Sequence, residues 1–265
     1  MDIATIGGLI LAILAIAVGA AEEGVTLRSL LGPSAFLIVV GGSVGATIIS
    51  HTIQDLKAVP RGLKLSLFPP KQDYQGMIDL LVGFSEKARR NGLLSLQEDA
   101  DHAAHPVVRR GLTMAVDGAD PEAVVNVMRA MSEEQAAETL RAAAVFETAG
   151  GYAPTLGIMG TVMGLITIMR QLDRPDTLGP AISVAFLATL YGLGSANLLF
   201  LPLASKIKNI AKQETHFNEM IILGIEGIQA GENPRNLREK LSIYLPASGG
   251  GRARAAAGAA VQEGV

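Results

Sequence analysis

Two charge-free stretches joined by a short polar turn constrain this chain more than any other feature. The first lies between Glu147 and Arg170, the second between Asp176 and Lys206. Across positions 148–205 the chain reads TAGGYAPTLGIMGTVMGLITIM, then RQLDRPDTLGP, then AISVAFLATLYGLGSANLLFLPLAS. Each stretch is about 20 residues or longer, enough for a helix to cross a hydrocarbon layer roughly 30 Å thick. The turn between them is short, so the two helices are expected as an antiparallel hairpin. Composition agrees. Charged residues make up 18% of the chain, against about 25% in soluble domains, and the apolar residues are gathered into runs. A formal net charge of −3 argues against a nucleic-acid partner. The absence of cysteine excludes disulfides, thiol chemistry and Cys-type zinc sites. Tryptophan is absent as well, so any interfacial anchoring rests on Tyr, Lys and Arg.

The N-terminal region repeats the pattern. Ile3 to Ala21 carries no charge. It is preceded by Asp2 rather than a basic residue and followed by a second apolar run, so it reads as a membrane helix and not as a signal peptide. Ser29 to Ser50 is the second run, with Gly41, Gly42, Gly45 and Ala46 in its middle. Small residues at such spacing let helix backbones approach closely in lipid. The GGSVG sequence is not followed by GK[ST], so it is not a phosphate loop. Lys57, Arg61, Lys64 and Lys71 follow the second run, and Lys206, Lys208 and Lys212 follow the fourth. The positive-inside rule then puts the middle segment and both termini in the cytoplasm.

The expected fold is an all-α membrane protein with four transmembrane helices and a helical cytoplasmic domain between the second and third. Its segments are transmembrane helices 1 and 2 (1–52), a cytoplasmic helical domain (53–147), transmembrane helices 3 and 4 (148–206), cytoplasmic C-terminal helices (207–245) and a disordered tail (246–265). In the middle segment Met77, Leu80, Leu81, Phe84 and Ala88 recur at helical spacing. Asp117-Gly118 marks a turn. Asp120-Pro121-Glu122 is a helix start, and one long helix is expected from there into the membrane. Gly231 to Pro234 breaks the last long helix, and Pro234 begins a short one.

Several candidate chemistries fail on inspection. His102 and His105 have helical i, i+3 spacing, but no Asp/Glu-rich catalytic motif surrounds them and Pro106 follows, so a solvated linker is expected. His51 and His216 read the same way. No Ser-His-Asp, Walker or HExxH pattern is present, so no enzyme is indicated and no cofactor is expected. None of the four runs holds an ionisable side chain. Ion transport through lipid normally uses one, since a buried charge costs at least ~2.5–3.5 kcal/mol and is kept for function. Either the chain moves no ions, or a partner helix brings the carboxylate. Thr161 lies among Gly157, Gly160 and Gly164. Thr189 lies among Ala181, Ala185, Gly192 and Ala196. Each set gives a narrow helix face of small residues with one hydroxyl. Such a face suits plain helix packing with threonine bonded to its own backbone, and it equally suits a small cation, because hard cations take oxygen ligands. Pro154 and Pro202 sit in the third and fourth runs, as static bends or as hinges. Lys87, Arg89, Arg90 and Glu98 flank the turn at Asn91-Gly92 as an exposed patch of both signs.

These residues resemble a known family. The segments APTLGIMGTVMGLI around Thr161, AFLATLYG around Thr189 with Pro202 in FLPLA, and the patch EKARRNGLLSLQED followed by VDGADPEAV resemble the flagellar motor stator A subunit, the MotA/PomA family of the MotA/TolQ/ExbB superfamily. The resemblance runs from Met1 to about Leu245. It implies a homopentamer around a dimer of a single-span MotB/PomB-like B subunit that supplies the ion-binding aspartate, in the bacterial inner membrane. Thr161 and Thr189 match threonines of the sodium path in PomA-like members. Proton-driven members usually carry Ala at the first position, so sodium rather than H+ is the implied cation. Pro154 and Pro202 match the family's functional prolines, and Gly157, Gly160, Gly164 and Gly192 fall on the packing faces of the same two helices. Arg89 and Arg90 match residues facing the rotor protein FliG. The acid expected in that patch falls where Gln97 stands. Glu98, one residue on and about 100° round a helix, is the available substitute. The other readings are an ExbB/TolQ-like energiser of an envelope complex and a non-conducting membrane scaffold.

Overall fold

A computed structural model describes residues 3–173 and 175–246. Arg174 and the tail from position 247 onward lie outside the described residues. Eleven α-helices follow one another, and no strand occurs among the described residues: α1 (Ile3–Glu22), α2 (Pro33–Phe36), α3 (Gly42–Ser50), α4 (Ile53–Leu67), α5 (Tyr74–Asn91), α6 (Gln97–His102), α7 (Pro106–Val116), α8 (Pro121–Met169), α9 (Pro175–Ser195), α10 (Leu201–Gln229) and α11 (Pro234–Ser242). Wider π-type turns at Leu37–Gly41 and Ala196–Phe200 join α2 to α3 and α9 to α10, so each pair is continuously helical. Four helices among the described residues are long and apolar enough to cross a membrane. The chain divides into two compact units. One takes residues 1–70 and 137–211, the other 71–136 and 212–265.

The first unit holds the apolar helices. The second membrane helix begins at Pro33, four residues later than the start of its charge-free run. Gly32 is extended there, and proline fits the first helical position, where its missing N–H is no loss. The preceding Leu27–Leu30 forms a single tight 3₁₀ turn. Tyr191 of α9 holds this link in place: its hydroxyl donates to the Leu30 carbonyl and accepts from the Gly32 N–H. Of the small residues in the second run, Gly42 meets Leu156 of α8, while Gly45 has open space around it and Gly41 faces only its own helix. Inside this helix Ser43 and Thr47 are buried and satisfy themselves on backbone carbonyls one turn earlier. Large apolar side chains point outward on α1, α8 and α9, for example Leu11 at 69% exposure and Phe186 at 69%. Water would make such a surface costly at about 25 cal/mol per Å², whereas lipid or neighbouring helices would not.

The second unit has a conventional apolar core. Ile78, Leu81, Val82 and Phe84 of α5 pack with Val107, Val108 and Leu112 of α7, Met128 of α8, Ile221 and Ile225 of α10, and Leu237 and Leu241 of α11. The α5 stripe is displaced from the expected one. Leu80 is 43% exposed, and Ile78 and Val82 are buried in its stead, because the core wraps the flank of the helix nearer to them. Fully burying each such side chain contributes about 1.5–3 kcal/mol. Helix ends follow the expected signals. Asp120 caps α8 by accepting from the Glu122 N–H. Gly118 takes φ +77° before it, which only glycine adopts cheaply. Asn233 caps α11 ahead of Pro234.

His105 departs from the solvated-linker expectation. It lies at the start of α7 with its ring 5.7 Å from that of Phe217, and its Nδ1 is buried with no partner. Packed against Phe217, the imidazole is taken out of water, and this burial pushes it below its ordinary pKa. The His216 ring lies beside that of Tyr244, ring centres 4.8 Å apart. His51 is half-buried against the Thr47 carbonyl at 3.1 Å. His102 and His216 are both exposed, as expected, and the His102 ring nitrogen lies near the Glu98 carbonyl. No metal-binding group of three His, Cys, Asp or Glu exists among the described residues.

Candidate ion-pathway site

The site is made by two helices that touch backbone to backbone. On α8, Gly157, Gly160 and Gly164 fall on one face. On α9, Ala185, Ala188 and Gly192 oppose them. A β-carbon on Gly157 would stand 3.0 Å from the Ala188 carbonyl oxygen, and one on Gly192 would stand 2.6 Å from that of Ala153. On Gly160 and Gly164 it would lie 2.6 and 2.5 Å from the β-carbons of Ala188 and Ala185. Any residue larger than glycine there forces the helices apart. The four glycines assigned to packing by sequence are thus brought together in one interface, the small-residue mode of helix association in lipid.

Because the backbones are so close, short hydroxyl side chains meet across the seam. Thr161 Oγ1 is 2.5 Å from Thr189 Oγ1. It is also 3.1 Å from its own-helix carbonyl at Gly157 and 3.1 Å from the Ala185 carbonyl of α9. Three acceptors surround one hydroxyl proton. When Thr161 donates to a carbonyl, Thr189 must donate to Thr161. The result is a cluster of four oxygens, two hydroxyl and two carbonyl, between half-buried side chains. Oxygen is the ligand type that hard cations take. The cluster has no formal charge, and the surrounding spans carry no carboxylate. A cation entering it would meet dipoles but no counter-charge.

The prolines lie on the same helices. Pro154 is half-buried within α8, whose helix runs through it unbroken. Pro202 is the second residue of α10 and follows directly on the π-type turn, in which the Leu201 N–H reaches back to the Ala196 carbonyl. A wider turn is one way a helix accommodates a residue that lacks an N–H. Neither π-type turn is signalled by residue type, and neither was foreseen. The clamp made by Tyr191 was missed too, although a lone tyrosine among apolar residues is a fair hint of a polar partner.

The charged patch belongs to the other unit. Arg89 and Arg90 stand exposed at the end of α5, and Gly92 turns the chain with φ +82°. Arg90 pairs with Glu86 at 3.5 Å along its own helix. Lys87 reaches Asp99 at 2.6 Å, so the acid that closes on this basic end is Asp99. Glu98 is exposed in the first turn of α6 beside Gln97 and makes no ion pair with either arginine among the described residues.

The chain is similar to known proteins along most of its length. Residues 99–220 match the MotA/TolQ/ExbB proton channel family, and residues 6–92 match the motility protein A N-terminal family. Motility protein A of Bacillus subtilis is 36% identical over 93% of this chain and 92% of its own length. Chemotaxis protein PomA of Vibrio alginolyticus is 30% identical over 92% of this chain and 96% of its own. The fold superposes on a chain of the Campylobacter jejuni MotAB structure with a TM-score of 0.89 and 31% identity, covering 93% of this chain and 97% of that one. It superposes on the flagellar MotAB stator complex of Bacillus subtilis with a TM-score of 0.86 and 36% identity, covering 92% and 96%. A four-helix apolar scaffold, a glycine-packed helix pair and relatives aligned along nearly their whole length lead to one conclusion: the chain belongs to the flagellar stator A-subunit family, MotA/PomA, within the MotA/TolQ/ExbB proton channel family.

Proposed function

We propose that this protein conducts sodium through the α8–α9 seam, with a B subunit, and turns that flow into torque on a flagellar rotor. The observation that carries the reading is the Thr161–Thr189 hydroxyl pair, 2.5 Å across, set in spans that hold no acid. A carboxylate from a B-subunit helix beside this cluster supplies the missing charge, as the MotAB relatives' assembly suggests. Cation binding then neutralises the carboxylate, and release restores it. A cation falling through 100 mV yields ~2.3 kcal/mol, enough to bias a two-state step without nucleotide. The A subunit forms a homopentamer around a B dimer in the bacterial inner membrane, both termini in the cytoplasm by the distribution of Lys and Arg. Pro154 and Pro202 act as the coupling points on the moving helices. The exposed Arg89, Arg90 and Glu98 surface meets the rotor protein FliG.

The test is swimming with sodium replaced by potassium, in cells expressing the protein with its B subunit, beside Thr161→Ala and Thr161→Ser. Sodium-dependent swimming, lost in the alanine variant and kept in the serine variant while membrane assembly persists, is the expected result. Swimming indifferent to sodium, or unaltered by Thr161→Ala, would refute the sodium path.

A further inference from the structure

Two residues, His51 and Thr52, separate α3 from α4, at the boundary where basic residues follow the second apolar run. Its inner face is docked tightly. Gly62 sits so close to Ala142 of α8 that a β-carbon would collide, and Ile207 of α10 lies 3.2 Å from the same point. Ala58 joins Ala142, Ala143 and Ile207 in a small apolar cluster. Two side-chain contacts give the helix its course: Arg141 donates to Gln54, and Glu138 pairs with Arg61. Seven residues along α4, about 10.5 Å, therefore match only three along α8, about 4.5 Å. The helix lies crosswise to α8.

Its depth follows from α8. Ala142 stands six residues, about 9 Å, before the charge-free stretch that begins after Glu147. Each headgroup layer adds roughly 5–8 Å to the hydrocarbon, and a helix has a radius of about 5 Å. The upper surface of α4 is thus at headgroup level.

The outer face is mixed in a telling way. Ile53, Lys57, Pro60, Lys64 and Phe68 follow one another at helical spacing, all exposed, with Arg61 beside them. Ile53 is 72% and Phe68 50% exposed. The side-chain ammonium groups of Lys57 and Lys64 make no hydrogen bond or ion pair among the described residues. The nearby Asp55 is occupied by the Thr52 cap, whose hydrogen bonds hold its carboxyl below the usual range. A face that is basic and apolar at once, its neighbouring acids Asp55 and Glu138 already paired, is poorly suited to water and well suited to the boundary between anionic headgroups and acyl chains.

We propose that α4 is an anionic-phospholipid-binding helix, in which Lys57 and Lys64 hold the headgroup phosphates while Ile53 and Phe68 lie at the boundary between headgroups and chains. The protein has no tryptophan, so Phe68→Trp in the full chain, purified with its B subunit, gives a single reporter on this side of the complex if the B subunit is also made tryptophan-free. The complex is placed in equimolar phosphatidylglycerol and phosphatidylcholine vesicles, with the acyl bromine label on one lipid or on the other. Both leaflets contain both lipids, so the result does not depend on the proposed orientation. The expected result is a blue-shifted indole, quenched more by brominated phosphatidylglycerol, with the bias falling to parity when Lys57→Gln and Lys64→Gln are added. Each lysine is expected to enrich the anionic lipid about fivefold. Equal quenching by the two lipids, a bias that survives loss of both lysines, or an unquenched indole covered by protein or open to water would each overturn the proposal.

Discussion

Gly192→Ala is the sharpest probe of the α8–α9 seam. The added β-carbon would stand 2.6 Å from the Ala153 carbonyl oxygen and 3.0 Å from the Gly157 α-carbon, both backbone atoms that no rotamer change can move. Ordinary contact begins at 3.4 Å, so the helices must part by about 0.8 Å there. Carried a turn along, that opening takes the Thr161–Thr189 contact from 2.5 Å to about 3.3 Å, past the hydroxyl hydrogen-bond range. Overpacking of this kind costs about 1–3 kcal/mol, against a helix-propensity gain of about 0.5–1 kcal/mol for replacing glycine. Gly194→Ala is the internal control: the same helix, the same chemistry, and nothing within 4 Å of the new methyl. Purified complexes are compared by thermal melting and by sodium flux in vesicles. Gly192→Ala is expected to melt several degrees lower and to lose most flux, while Gly194→Ala melts at or slightly above wild type with flux intact. Equal behaviour of the two variants would refute the close-packing argument.

Three further outcomes follow. Thr189→Val keeps the shape of the side chain but removes an oxygen, so flux falls while stability drops by only about 1 kcal/mol on denaturant titration. Arg90→Glu breaks an exposed ion pair with Glu86 that is worth at most about 1 kcal/mol, so expression and melting stay near normal while torque in a tethered-cell assay falls if this surface meets the rotor. His105 is held neutral by burial, its folded pKa below the ordinary value of 6.5. The unfolded chain then binds the extra proton first, so stability is full above 6.5 and is lost as pH falls toward the folded value. His105→Phe should flatten that acid loss of stability, measured by melting as a function of pH.

Much of the candidate site was legible because its signals are local. Helical spacing alone put Gly157, Gly160 and Thr161 on one side of the third membrane run, and the lack of any acid between Glu147 and Arg170 is a plain property of the residues. Turn and cap signals worked for the same reason. Asp120-Pro121 and Asn233-Pro234 act within one helical turn, where backbone chemistry is decided by the residues themselves. His105 was misread because its surroundings come from Phe217, more than a hundred positions along the chain.

What the amino-acid order determined by itself is the number of apolar helices, their breaks, and the absence of ionisable groups within them, since length, hydropathy and capping act between near neighbours. What only the tertiary structure decided is which faces meet. The 2.5 Å approach of Thr161 to Thr189, the pairing of Lys87 with Asp99 rather than Glu98, and the crosswise seat of α4 on Ala142 all depend on how closely separate helices can approach. That distance is set by the summed bulk of side chains from both partners, so no one stretch of the chain contains it.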